Sequence, residues 1–549
     1  DDPISGGRHK VLGSKILNIP PQTSTIASHL PKAVGTAFSI DRAKDLDIPE
    51  RKLNSSSIVL CSFGDASTNH ATALSAFNIS IWISNQGGHV PIIFICEDNG
   101  TGISVPTNDS WIEQNFNKRR GMYYIQTDGL HLIDLMIKTR QAEHNCRINR
   151  SPIFLHMKTV RLMGHAGSDV ELGYKSLSDI ESTEFNDPLL HSARILIENR
   201  CLSAEDILMI YKLAKDQINH VFDWTTVRPK LKTVSDVMES IVPNQTKVIL
   251  PKQPTQKARR DLFGKEFSRL DQPQHMAKLI NYALSDIMLR YENTLIFGED
   301  VAQKGGVYNV TANLYKQFGV RRVFNSLLDE TSIIGLGIGF GHNGFIPIPE
   351  IQFLAYLHNA QDQLRGEAAT LPFFSKGQFT NPMVLRIPGL AYQKGFGGHY
   401  HNDNSLTIFR DIPGVILAVP SNGADGAKML RTAIREAYEN SRVVVFVEPI
   451  ALYMKKDLHK PKDRKWIFKY PYVKDEIPIG EFGTYGNGKA LTIITYGNGL
   501  YISLQAKKEI EKKLKKKIKI IDLRWLSDID IFKLLKAIGI CENVLIVDE

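Results

Sequence analysis

Two short stretches hold residues whose types and spacing can do chemistry. Gly64-Asp65-Ala66-Ser67 follows the apolar run SIVLCSF (Ser57–Phe63), and EDNGTGIS (Glu97–Ser104) follows PIIFIC (Pro91–Cys96). Together they offer a carboxylate at Asp65, an amide oxygen at Asn99 and the backbone carbonyl of Thr101. Hard oxygens of this kind suit Mg²⁺ or Ca²⁺ shared with phosphate oxygens. They do not suit a structural zinc, which takes thiolate sulfur and imidazole nitrogen. Read alone, the same residues also describe two loop turns.

The elements around them must bring the two stretches together. Short β-rich runs, SIVLCSF, PIIFIC and PIFLHM (Pro152–Met157), alternate with longer helical stretches over residues 1–225, a pattern that predicts a parallel sheet with helices on both faces. A helix is expected over Thr68–Gln86, ended by Gly87-Gly88, with its N-terminus aimed at phosphate. In a right-handed βαβ unit Asp65 and Asn99 then leave the sheet at one edge, where open α/β sheets gather ligands. Residues 243–275 are polar and Pro-containing and read as a connecting arm. A second α/β pattern follows over 276–470, with strands NTLIFGED, MVLRIPG, VILAVPS and VVVFVEP. A third begins at 471, with LTIITYG, IKIIDL and VLIVDE as strands. The chain starts at Asp1 and stops on a strand at Glu549, so both ends are expected to be incomplete.

Composition narrows the class. At 549 residues, 43% hydrophobic and 23% charged, the chain fits a multidomain globular protein. No run is long and apolar enough to predict a membrane span, and no signal peptide is visible. Five scattered cysteines without CxxC spacing, Cys61 and Cys96 among apolar neighbours, fit a reducing, cytoplasmic-type compartment. Much of the net charge of +9 lies in AKKEIEKKLKKKIK (Ala506–Lys519), read as a helix with a solvated Lys-rich face. No nucleic-acid motif or interleaved aromatic accompanies it.

The GDA…EDNG arrangement, with 31 residues between Ala66 and Asp98, resembles the thiamin diphosphate motif, in which GDG is followed by about thirty residues and NN. Ala66 stands for the last Gly and Asp98 for the first Asn, while Asp65 and Asn99 keep the metal-binding types. The resemblance extends over nearly the whole chain. It is to the decarboxylating component of 2-oxo acid dehydrogenase complexes, with α-like and β-like sequences in one chain. In the α half, Gly6–Ser14 and Thr23–Ala37 resemble family segments, which places Thr25, Ile26 and Ala27 opposite the aminopyrimidine. VRLMGHAGSD (Val160–Asp169) resembles the RxxGH loop, with Arg161 suited to an anionic phosphate and His165 near the diphosphate. Gly64, Ala66, Ser67 and Ile103 complete the implied cofactor contacts.

In the β half, GEDVAQKGGVYNVT (Gly298–Thr311) resembles the family opening, and Glu330 in RVFNSLLDETSIIGLGIGFG aligns with the family Glu that hydrogen-bonds the pyrimidine ring. EIQFLAYLHNAQDQL places Gln352 and Tyr356 in the pyrimidine pocket. KGFGGHYHNDNSL resembles GxGxxHSQS and places His401 at the catalytic His, with HNDN in place of HSQS. The resemblance implies two thiamin-diphosphate-binding parallel-sheet domains and a transketolase-type C-terminal α/β domain, here truncated. It implies thiamin diphosphate and Mg²⁺ as cofactors, with K⁺ as a candidate structural ion. Glu330, His401 and His165 are then the catalytic residues, and Asp65, Asn99 and Thr101 the metal ligands. The implied reaction is oxidative decarboxylation of a branched-chain 2-oxo acid, with acyl transfer to the lipoyl domain of a dihydrolipoyl transacylase. A homodimer of fused chains is expected, with neither nucleic acid nor membrane as partner. Pyruvate is the alternative substrate. A non-catalytic structural subunit or decayed copy is the alternative class, motivated by Ala66, Asp98, HNDN and the two ends expected to be incomplete.

Overall fold

The computed structural model describes residues 3–243, 248–392 and 397–549. Two compact units divide the chain: residues up to 41 with 53–237, and 42–52 with 238–549.

The first unit is built on a four-stranded parallel sheet. Its strands are β1 (Val59–Gly64), β2 (Ile92–Asp98), β5 (Tyr123–Asp128) and β6 (Ile153–Lys158), ordered β1-β2-β6-β5. Between β2 and β5 lies a small antiparallel hairpin, β3 (Thr101–Gly102) with β4 (Val105–Pro106). Central β2 is buried along most of its length, while edge β1 turns Cys61 and Phe63 inward and Leu60 and Ser62 outward. This is the pattern of an inner and an outer strand in a sheet covered by helices. Phe63, Phe77, Phe94, Phe116 and Phe154 interlock in the core, with Phe77 edge-on to Phe94 at 5.0 Å and Phe116 stacked on Phe154 at 4.3 Å. Strand β5 was not anticipated from sequence. Its YYIQTD alternates exposed and buried residues instead of forming an apolar run.

The helix expected over Thr68–Gln86 differs at its start. A 3₁₀ turn covers Asp65–Asn69, and the α-helix begins at Ala71, where His70 Nδ1 accepts the Thr72 amide. The N-terminus of this helix is therefore displaced from Gly64. Asp65 instead folds back, its carbonyl accepting from Thr68 Oγ1 at 2.6 Å. The far end stands as expected, with Gly87 at φ +77° just past the last turn.

The second unit holds two sheets. The larger is entirely parallel: β7 (Thr294–Gly298), β8 (Val323–Asn325), β9 (Ile346–Glu350), β10 (Met383–Gly389), β11 (Ile416–Ala418) and β12 (Val443–Pro449), in the order β11-β12-β10-β9-β7-β8. Helices Met276–Arg290 and Gly423–Asn440 pack its core, alongside the almost wholly buried helix Glu330–His342. The smaller sheet, in order β13-β15-β14-β16, comprises β13 (Gly483–Tyr485), β14 (Thr492–Thr495), β15 (Lys519–Asp522) and β16 (Val544–Ile546), with β13 antiparallel.

The arm expected over 243–275 carries structure of its own. A helix spans Gln256–Phe263, and Phe263 and Leu270 are buried against Leu279 and Tyr282. The Lys-rich segment falls mainly in the helix Asn498–Leu514, with Ile510 on the core side and Lys508, Lys512 and Lys513 exposed. Among the described residues no helix is long and apolar enough to cross a membrane.

Candidate functional site

The carboxyl edge of the first sheet gathers Asp65, Asn99, Thr101, Ile103 and Arg161 into one hydrogen-bonded network. Asp65 is 1% exposed. Its Oδ2 accepts from Thr107 Oγ1 at 2.5 Å, which ties β1 to the hairpin. Asn99 Oδ1 accepts the Thr101 amide at 3.1 Å in a side-chain turn, and this oxygen keeps a second lone pair. Gly100, at φ +73°, takes the left-handed conformation that lets the chain reverse there. The Thr107 amide bonds the Gly100 carbonyl at 2.8 Å, so Gly100 and Thr107 form the bonded pair of the hairpin. Thr101, one residue on and opposite Pro106, therefore turns its carbonyl away from the ladder.

Arg161 reaches this edge from the loop after β6. Its Nη2 donates to the Ile103 carbonyl at 2.7 Å and to the Tyr174 hydroxyl at 2.9 Å. The Tyr174 hydroxyl donates to Asp169 Oδ2, which also accepts the His165 amide at 2.7 Å. His165 is thereby placed on the rim with an exposed ring. Ile103, at φ +58°, is a branched residue held in the left-handed region. Strain of this sort is kept where surrounding contacts enforce it.

The residues fit a metal–diphosphate ligand. Among the described residues Asp65 Oδ1 has no hydrogen-bond partner. With Asn99 Oδ1 and the Thr101 carbonyl it makes a three-oxygen set of the hard type. Arg161 Nε is buried and unpartnered, an orphan donor that an anion would satisfy. No group of three His, Cys, Asp or Glu converges among the described residues. A cation here would rely on one carboxylate plus neutral oxygens, and on charge supplied by its ligand.

Ala66, where the family motif has Gly, is accommodated by Gly102. A Cβ on Gly102 would lie 2.7 Å from the Ala66 methyl. Asp98 is inward and 4% exposed, whereas Glu97 faces solvent. Thr25, Ile26 and Ala27 lie just before the helix His29–Asp45, with Ala27 buried at φ +59° and Ile26 half exposed. Gly64 and Ser67 flank Asp65 at the strand end and in the 3₁₀ turn.

In the second unit, Glu330 is the first residue of its helix and 6% exposed. Asp329 caps that helix through the Ser332 amide at 3.2 Å, and Asn359 Nδ2 donates to Glu330 Oε2 at 3.4 Å. His401 is held from both sides. Its Nδ1 lies 3.1 Å from the Gly397 carbonyl, which can only accept, so Nδ1 carries the proton. In the neutral ring Nε2 then accepts from the Tyr356 hydroxyl at 3.1 Å. The Phe353 ring meets the imidazole edge-on at 4.6 Å. Gln352 turns toward Asp300, at 3.5 Å. In the HNDN segment, Asp403 accepts from the amide and hydroxyl of Ser405. The preceding Lys394–Phe396 lie outside the described residues.

Glu299, directly after β7, has no role legible in the sequence alone. It is 8% exposed with Oε1 buried and unpartnered. Burial, then the nearby charges of Glu330 and Asp300, push its carboxyl up to about 7. Its signal was the acidic pair at a strand's carboxyl end. Thr107 carried no such signal, since a hydroxyl forty residues from Asp65 looks like any loop threonine.

Comparison with known proteins follows the same division. The family described as "Dehydrogenase E1 component" matches residues 2–233, "Transketolase, pyrimidine binding domain" residues 272–455, and "Transketolase, C-terminal domain" residues 482–549. The chain is 33% identical over 279 residues to the pyruvate dehydrogenase E1 component subunit beta of Bacillus subtilis, covering 50% of this chain and 79% of the relative. It is 34% identical over 271 residues to the 2-oxoisovalerate dehydrogenase subunit beta of the same organism, covering 49% and 77%. The corresponding 2-oxoisovalerate subunit of Pseudomonas aeruginosa is 36% identical over 255 residues, covering 45% and 69%. In fold, the chain is similar to the crystal structure of transketolase from Campylobacter jejuni, with a TM-score of 0.56 at 14% identity, covering 96% of this chain and 78% of that one.

Proposed function

We propose, proceeding from the fact that this chain belongs to the thiamin-diphosphate-dependent E1 dehydrogenase family of the transketolase-like superfamily, that it decarboxylates a branched-chain 2-oxo acid. In this reading the acyl group passes to the lipoyl domain of a transacylase, and the chain works as a homodimer. The observation that carries the site assignment is the network running from Asp65 through Thr107 and the hairpin to Arg161. It leaves an unpartnered guanidinium nitrogen together with the Asp65, Asn99 and Thr101 oxygens at one sheet edge.

Asp65, Asn99 and the Thr101 carbonyl would hold Mg²⁺, and Arg161 would neutralise a diphosphate oxygen. Thiamin diphosphate, when bound, supplies the carbanion chemistry that a protein side chain cannot. The chain's own residues place and move protons. Glu330, buried at a helix N-terminus, holds a proton at a carboxylate oxygen for a ring nitrogen, steadied by Asn359. His401, with Nδ1 pinned by Gly397, presents Nε2 as the atom that takes or gives a proton, and the Tyr356 hydroxyl sets its direction. Gln352 and Tyr356 would face the ring, and the exposed His165 would serve substrate entry and the acceptor step.

Relatives named for pyruvate and for 2-oxoisovalerate match at nearly equal identity, 33% and 34%, which makes pyruvate the second reading. The EIQF and HYH segments favour the branched-chain one. Calorimetry with thiamin diphosphate tests the site. Binding should require Mg²⁺, and Asp65→Ala should abolish it. Glu330→Gln should keep affinity within about threefold while carbon dioxide release falls by about 10²–10⁴, the span of a lost general acid–base group. Full activity in Glu330→Gln would refute its role.

A further inference from the structure

Asp98 stands where the family motif has Asn, and its surroundings differ from those of an exposed loop acid. Strand alternation turns it inward, beside Lys158 in the register of β2 with β6. Its Oδ1 accepts the Gly100 amide at 3.1 Å. Its Oδ2 accepts from His156 Nε2 at 2.7 Å and from Lys158 Nζ at 2.6 Å. Its carbonyl accepts the Thr159 amide at 2.8 Å. His156 is 1% exposed, and its Nδ1 meets the Tyr124 hydroxyl at 2.6 Å. With Nε2 donating to the carboxylate, the neutral ring accepts from Tyr124.

Three of these four bonds to Asp98 come from β6 and the residue after it, the strand that leads into the Arg161 loop. The fourth comes from the turn between Asn99 and Thr101. One carboxylate therefore joins the segment bearing the metal-ligand candidates to the segment bearing the anion-binding arginine. Resting on the functional reading above, we propose that Asp98 is the positioning residue for Asn99 and Thr101. His156 and Lys158 hold it from β6, so that the ligand turn is formed before metal and cofactor arrive.

The proposal separates two functions of the side chain. Asp98→Asn keeps an oxygen for the Gly100 amide. His156 can answer the new NH₂ by exchanging tautomers, and Lys158, 38% exposed, can swing to water. Asp98→Leu keeps the volume and removes the acceptor. Hydrogen–deuterium exchange of the full chain without cofactor reads the turn directly, and calorimetry with thiamin diphosphate and Mg²⁺ reads its consequence. Asp98→Leu should speed exchange across Asn99–Ile103 and weaken cofactor binding, each about tenfold, the effect of about one buried hydrogen bond. Asp98→Asn should stay within about threefold of the wild type in both. Lys158→Met, which leaves Asp98 in place, should give an intermediate rise in exchange, and it decides the matter if Asp98→Leu fails to fold. Unchanged exchange in Lys158→Met and Asp98→Leu would overturn the proposal. So would Asp98→Asn behaving like Asp98→Leu, or a melting temperature that falls while exchange of the turn and affinity do not move. Failure of the wild type to bind thiamin diphosphate would instead refute the functional reading, with the exchange data still deciding whether Asp98 forms the turn.

Discussion

At the residue scale, departures from the family motif are matched by a second residue. The Ala66 methyl occupies space that only a glycine at position 102 leaves open. Gly102→Ala should therefore overpack the ligand edge at a cost of about 1–3 kcal/mol. Adding Ala66→Gly should restore most of it. Thermal melts of the single and double variants check this; equal stability of Gly102→Ala and wild type would contradict it. Glu299 gives a pH signature. Its folded carboxyl titrates at about 7, above the ordinary 4.5, so the folded state binds the proton more tightly. Stability present below about pH 4.5 is lost as pH rises through 7. Glu299→Gln should raise the stability of the cofactor-free chain by up to about 3 kcal/mol at pH 8 and by almost nothing near pH 4.5. Melting curves across that range decide it, and a variant less stable at pH 8 would contradict the assignment.

At the element scale, one short piece holds two of the second unit's candidate residues in place. The 3₁₀ helix Leu354–Ala360 carries both Tyr356, bonded to His401, and Asn359, bonded to Glu330. Beneath it Arg386 on β10 is fully buried. It grips Glu448 of β12 with two nitrogens, at 2.7 and 2.9 Å, and Glu350 of β9 at 2.5 Å. Three strands are thus cross-linked through one guanidinium. Arg386→Met should leave two carboxylates buried without a counter-charge and cost about 3–5 kcal/mol. Arg386→Lys should not recover it, because an ammonium cannot reproduce the fork. Unfolding measurements showing Arg386→Lys as stable as wild type would argue against this cross-link.

Legibility differed among these elements for physical reasons. Apolar runs such as PIIFIC and VVVFVEP announce inner strands because both of their faces are covered. IPIPE, which became β9, did not, since prolines at 347 and 349 argue against a central strand. They are tolerated because residues two apart point their missing amides to the same side. β9 pairs along its whole length with β7 and at only one position with β10.

At the scale of the whole molecule, three parallel-type sheets in chain order were legible from alternating patterns, and the family from motifs spread along nearly the whole length. The shared edge of Asp65 and Asn99 was legible because two neighbouring strand ends and a crossover fix it. Thr107, His156, Lys158 and Glu299 were not, because their importance lies in partners distant in sequence. The central claim is that this arrangement performs thiamin-diphosphate-dependent decarboxylation of a 2-oxo acid. Its most direct test is carbon dioxide release by the Mg²⁺–thiamin diphosphate-loaded chain, with 2-oxoisovalerate and pyruvate side by side. The account predicts saturable release that needs both cofactors and is faster with 2-oxoisovalerate; no release from either acid, with cofactor shown to be bound, would contradict it.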